Sequence, residues 1–120
     1  MGNEIFVDTN ILVHLIDGNA KMVPLLQDKD IHVSFITEME MLSKNNITKN
    51  DIRNINMLLD ACKLYDFNDK IKSTAIMLMR NYRLKLADAI IAATANYYGI
   101  ELLTADGKFK NIPGCTVIKI

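Results

Sequence analysis

A chain of 120 residues, half of them hydrophobic and 23% charged, has the size and composition of one packed domain (residues 1–120) and excludes a disordered chain. No apolar run approaches the roughly 18–20 residues that span a bilayer, and no secretory signal opens the sequence, so a cytoplasmic location with no membrane partner is expected. Fourteen basic residues cancel fourteen acidic ones, and Cys62 and Cys115 have neither metal-site nor redox spacing; net charge gives no sign of nucleic acid, and the cysteines read as reduced, buried thiols. The elements follow in order. Glu4–Val7 is short and β-branched, as a buried strand is. Asp8-Thr9-Asn10 supplies helix N-cap residues for an apolar helix over Ile11–Ile16 that Gly18 ends. Lys21–Gln27 is a second short helix, with Pro24 tolerable only near its first turn. Ile31–Phe35 is the second strand, and Thr37 to about Ser43 a helix. Thr48–Lys63 is amphipathic, with Ile52, Ile55, Leu58, Leu59 and Cys62 at helical spacing. Leu64–Phe67 is a short, weak third strand, and Asp69–Arg83 a helix. The alanine-rich helix Ala87–Tyr98, stopped by Gly99, suits close packing on a sheet. Glu101–Thr104 and Thr116–Ile120 are the last two strands.

Strands separated by helices imply a parallel sheet with right-handed crossovers and helices on both faces, a three-layer α/β domain. Ligands in such sheets bind at the carboxyl edge of the strands. That edge also carries the helix N-termini, and four acids map to it. Asp8 ends the first strand. Glu40 lies in the first turn or so of the helix after the second. Asp88 opens the alanine-rich helix, and Asp106 lies two residues past the fourth strand. They share a pocket if the first and fourth strands are neighbours.

Each acid also has a local role open to it: Asp8 as an N-cap, Asp88 on the helix dipole, Asp106-Gly107 as a turn, Glu40 in solvent beside Glu38. Together they pose an electrostatic problem. Two like charges near 4 Å repel by about 4 kcal/mol at an effective dielectric of 20. A divalent cation removes that repulsion, and an all-oxygen donor set with no neighbouring Cys or His suits Mg²⁺ or Mn²⁺ rather than Zn²⁺. A cation held this way acidifies water and neutralises charge on phosphoryl oxygens, which permits phosphodiester hydrolysis without a covalent intermediate. His14 and His32 are too dispersed for a triad or a ligand pair and read as ordinary helix and strand residues.

The segments Phe6-Val-Asp8-Thr-Asn10-Ile-Leu, Ser34-Phe-Ile-Thr37-Glu-Met-Glu40-Met-Leu42, Leu86-Ala-Asp88-Ala-Ile-Ile-Ala-Ala-Thr94-Ala and Leu103-Thr104-Ala-Asp106-Gly-Lys-Phe109 resemble, in order and spacing, those of PIN domains, and closely those of VapC-type toxins of toxin–antitoxin pairs. The resemblance spans nearly the whole chain. It implies an α/β/α PIN-like fold whose five-stranded parallel sheet has the order 3-2-1-4-5, with strands one and four side by side. It implies Mg²⁺- or Mn²⁺-dependent endoribonuclease activity, a homodimer, and a cognate antitoxin covering the acidic pocket. Carried over by position, Asp8, Glu40, Asp88 and Asp106 are the acidic catalytic and metal-site residues. Asp8 and Asp88 ligate directly, and Asp106 ligates directly or through water. Asn10 and Thr104 hydrogen-bond the carboxylates or metal waters. Glu40, three residues after Thr37, fits the family spacing better than Glu38.

Charge is segregated along the chain: residues 1–40 hold seven acids and two bases, a net of −5, and residues 41–120 hold seven acids and twelve bases, a net of +5. Residues 41–120 supply candidates for RNA contact: Lys44 after Glu40, Arg83 and Lys85 before Asp88, and Lys108 and Lys110 flanking Phe109. Phe109 itself, and most of the methionines, read as packing residues; some methionines suit an adaptable groove for a partner helix. A receiver domain wants paired acids after strand one, and a haloacid-dehalogenase-type phosphatase wants Asp-x-Asp there; Asp8-Thr9-Asn10 supplies neither. The remaining alternatives are a non-catalytic PIN-like module that binds RNA or protein, and a housekeeping RNA-processing nuclease.

Overall fold

The computed structural model describes residues 2–120. Strand β1 (Glu4–Val7) leads into α1 (Thr9–Ile16) and α2 (Met22–Leu26), then β2 (Asp30–Ser34), α3 (Phe35–Leu42) and α4 (Lys49–Asp60). The second half runs β3 (Lys63–Tyr65), α5 (Asp69–Tyr82), α6 (Leu86–Tyr98), β4 (Leu102–Thr104), a 3₁₀ turn at Gly107–Phe109 and β5 (Val117–Lys119). The five strands form one sheet of order β3-β2-β1-β4-β5, as the family resemblance implies, and every pair is parallel. β1 is central, with Phe6 paired to His32 on one side and to Leu102 on the other.

Alternation along the strands divides the core in two. Phe6 and Leu102 face α5 and α6, where they pack with Ile71, Leu78, Ile91 and Phe109. Ile5, Val7, Val33 and Leu103 face the other way, against Ile11 and Leu12 of α1, Met41 of α3 and Ile55 and Leu59 of α4. The sheet is therefore covered on both faces. Helix α6 is packed into the core: Ala89, Ala92, Ala93 and Ala95 are all but fully buried, as side chains of one carbon allow a backbone to lie close to its neighbours. Gly99 takes φ +67° to end it, and its N–H reaches back to the carbonyls of Ala95 and Asn96.

Several details differ from the expectation. Helix α3 starts at Phe35, two residues before Thr37, because Ser34 is both the last residue of β2 and the N-cap, its Oγ accepting from the Ile36 N–H at 3.2 Å. The strand thus passes into the helix with no loop, and Glu40 falls in the second turn instead of the first. Helix α4 ends at Asp60 rather than Lys63, and β3 starts there, a short three-residue edge strand. The methionines divide: Met22 and Met41 are core, while Met39, Met57 and Met79 are exposed. Both cysteines are free and half-buried rather than fully buried, and burial pushes each thiol up to about 11. His32 is a buried residue of β2, as an ordinary strand histidine would be, with Nδ1 3.0 Å from the Tyr65 hydroxyl. Among the described residues no helix is long and apolar enough to cross a membrane.

Candidate functional site

The sheet's carboxyl edge gathers the four acids through four separate local structures. Asp8 follows the last residue of β1 and caps α1, its Oδ1 accepting from the Ile11 N–H at 3.1 Å. Its Oδ2 accepts from the hydroxyl of Thr104, the last residue of the adjacent β4. Thr104 Oγ1 in turn accepts from the Asp106 N–H at 3.0 Å, so one hydroxyl ties the ends of two neighbouring strands to two acids. Asp8 is 4% exposed, and burial pushes its carboxyl above the usual value, against the lowering effect of the Thr104 and Ile11 hydrogen bonds. The Asp88 charge pushes in the same direction as burial.

Glu40 reaches the site from α3. The Thr9 hydroxyl donates to Glu40 Oε1 at 2.5 Å. With that proton spent, the hydroxyl of buried Thr37 is the donor in the 3.0 Å Thr9–Thr37 contact. Asp88 comes from the first turn of α6. Asp106 caps the 3₁₀ turn, its Oδ1 accepting from the Lys108 N–H at 2.9 Å. Hydrogen bonds from the Lys108 backbone and side chain hold the Asp106 carboxyl below its usual range. Partial burial alone would lower the pKa of Lys108. Its bonds to Asp88 and Asp106 outweigh that and hold it above the ordinary lysine value.

Asp8, Asp88 and Glu40 line one cleft of about 220 Å³ together with Thr9, Asn10, Lys85 and Lys108. Asp106 lines the neighbouring cavity of about 520 Å³, with Lys110 and Lys119. Lys108 joins the two, its Nζ 2.8 Å from Asp88 Oδ2 and 3.1 Å from Asp106 Oδ2. Among the described residues no three acidic, histidine or cysteine side chains stand close enough together to enclose an ion. The convergence expected of the four acids is therefore looser than a closed ligand set. The donors are nonetheless all hard oxygens, two of them already grip a cation in the Lys108 ammonium, and Asp8 keeps lone pairs beyond those its two hydrogen bonds use. The chemistry of the set fits a hard divalent cation such as Mg²⁺ or Mn²⁺.

The other expected residues distribute unevenly. Thr104 holds Asp8, as expected. Asn10 lines the cleft, but among the described residues no hydrogen bond joins its side chain to an acid. Arg83 and Lys85 line an adjoining cavity with Asp88 and Lys108. Lys44 lines a separate cleft between α1 and α4 with Asp17 and Asn54. Besides the Lys108 bridge, Thr9 and Lys119 had not stood out in the sequence. Thr9 carries the hydroxyl that holds Glu40, and its position directly after Asp8 was the available signal. Lys119 ends β5 at the same carboxyl edge, where its charge reaches Asp106.

Residues 5–114 match the PIN domain family model, and the chain belongs to that family. Among solved structures it is similar to a toxin–antitoxin complex from Klebsiella pneumoniae, at 31% identity and TM-score 0.82 over 97% of this chain and 99% of that one. It is also similar to VapBC2 from Rickettsia felis, bound there to a promoter DNA fragment, at 21% identity and TM-score 0.84 over 98% of each chain. FitAcB from Neisseria gonorrhoeae aligns at 19% identity and TM-score 0.78 over 96% of each chain. No curated protein matches the sequence.

Proposed function

We propose that this PIN domain is a Mg²⁺- or Mn²⁺-dependent endoribonuclease, the toxin of a type II toxin–antitoxin pair, acting in the cytoplasm as a homodimer held in check by a cognate antitoxin. The observation that carries the nuclease reading is the placement of Asp8 and Asp88, from opposite halves of the chain, in one cleft at the carboxyl edge of a parallel sheet with Lys85 and Lys108 at its wall. The toxin and antitoxin parts rest on the likeness to the toxin–antitoxin complex from Klebsiella pneumoniae.

In this reading Asp8 and Asp88 hold the cation, Asp106 supports it from the β4 side, and Glu40 faces the cleft from α3. A divalent cation supplies, when bound, charge neutralisation at the phosphoryl oxygens and acidification of water. The chain's own contribution is positional. Thr104 and the α1 N-terminus fix both oxygens of Asp8, so the carboxylate pays little reorganisation when a cation arrives. Thr9 orients Glu40 toward the cleft, within which its free carboxylate oxygen can take the proton of an attacking water. Arg83, Lys85 and Lys110 bind phosphates flanking the scissile one, and the two walls between them set the path of the strand.

The loose spacing of the acids favours a second reading, a PIN-like module that binds RNA or protein without cutting. One experiment separates the two. Purified protein is incubated with mixed RNA, with Mn²⁺ or with EDTA, beside the Asp8→Asn and Asp88→Asn variants. Cleavage that needs the metal and drops about 100-fold or more in each variant is expected, since even supporting residues of metal sites cost 10–100-fold. Metal-independent cleavage, or full activity in Asp8→Asn, overturns the mechanism. For the toxin role, expression arrests growth, and Asp88→Asn relieves the arrest; absence of arrest favours a housekeeping RNA-processing role.

A further inference from the structure

We propose that the Lys108 ammonium is a built-in counter-ion for Asp88 and Asp106 that an incoming divalent cation has to displace, so that Lys108 sets how readily the site loads. The inference rests on the reading of the cleft as a cation site. The geometry that carries it is the bridge: Nζ lies 2.8 Å from Asp88 Oδ2 and 3.1 Å from Asp106 Oδ2, hydrogen-bonding distance to both. The bridge is prearranged by the backbone. Asp106 Oδ1 accepts from the Lys108 N–H, which closes the 3₁₀ turn and returns the lysine over the acid two residues before it.

Occupancy is the consequence. A carboxylate oxygen that points its lone pair at an ammonium cannot point the same lone pair at a metal ion. The bridge also links the cleft holding Asp8 and Asp88 to the cavity holding Asp106, so the acids are neutralised in place instead of being drawn together around an ion. Displacement is feasible because the lysine side chain is 39% exposed and has solvent to swing into, whereas the Asp88 side chain is 16% exposed and fixed on a helix. The pair is half in water, so its strength is modest, and a doubly charged ion competes with it effectively.

The test is calorimetric titration of Mn²⁺ into the wild-type protein and into Lys108→Met and Lys108→Arg, with metal-free melting curves of all three. Lys108→Met is expected to bind Mn²⁺ about fivefold or more tightly, the factor that loss of one or two exposed ion pairs allows. Its metal-free melting temperature falls and recovers when Mn²⁺ is added. Lys108→Arg, which keeps the charge, stays near the wild type in both. Mn²⁺ binding seen in Lys108→Met alone supports the inference still more directly. Equal or weaker binding by Lys108→Met overturns it while leaving the cation site intact. No Mn²⁺ binding by any of the three overturns the cation-site reading itself.

Discussion

Asp8 is the residue at which stability and function pull apart. Both of its carboxylate oxygens accept hydrogen bonds, yet burial still lifts its pKa above the ordinary 3.8. A raised carboxyl pKa means the folded protein binds the Asp8 proton more tightly than the unfolded chain does. The stabilisation from this group is fully present below about pH 3.8 and is lost as pH rises through the elevated folded value. At neutral pH the buried charge is therefore a cost, which a bound cation would offset. Asp8→Asn keeps the cap to Ile11 through its amide oxygen and removes the charge, and the Thr104 hydroxyl can turn to accept from the new amide. In EDTA at pH 7 the variant is expected to melt several degrees above the wild type. The advantage shrinks as pH approaches about 4. Thermal melts across that range check it, and a lower melting temperature at pH 7 contradicts it. Sequence alone made Asp8 a candidate, because an acid directly after a buried strand is conspicuous. Thr104, 96 positions away, came into view only through the family resemblance, because its bond to Asp8 depends on β4 lying against β1.

At the scale of elements, the legible parts were those with strong local signals. Strand β1 falls on Glu4–Val7 as expected, and α5 and α6 agree with their patterns to within a residue at either end. The start of α3 was misplaced because Phe35 and Ile36 extend the β-branched and aromatic pattern of β2, while the Ser34 side chain has already begun to cap the helix. The bridge made by Lys108 was missed for a related reason. In sequence it is one of a pair of lysines around a phenylalanine, and only the 3₁₀ turn aims it back at Asp106. The alanines of α6 announced a close helix–sheet approach, and the structure makes that testable. Ala92 is fully buried, in the core layer that α6 shares with α5 and with Phe6 and Leu102 of the sheet. Ala92→Leu forces three additional carbons into that layer and is expected to cost about 1–3 kcal/mol, as overpacking does. Urea denaturation measures it, and a stability equal to wild type shows that the layer has room to spare.

Over the whole molecule the neutral net charge hides a partition that the fold turns into two neighbouring surfaces. The early, acid-rich third contributes Asp8 and Glu40 to the cleft, and the later, basic two thirds contribute Lys85 and Lys108 to its wall and Lys110 and Lys119 to the cavity beside it. RNA held there would feel local bases and not the overall charge, so its binding should depend on salt as though only a few phosphates were neutralised. For single strands each neutralised phosphate adds about −0.7 to the slope of log K against log salt. With Arg83, Lys85, Lys110 and Lys119 each meeting one phosphate, the slope is expected to be about −3. Asp8→Asn, which should not cut, is the protein in which to measure it by fluorescence anisotropy with a labelled single strand. Adding Lys119→Ala should flatten the slope by about 0.7. Adding Lys44→Ala should leave it unchanged, because Lys44 lines a separate cleft between α1 and α4. A slope that responds to Lys44 and ignores Lys119 would move the RNA path to the far side of α1, away from Asp88, and would separate binding from the acids altogether.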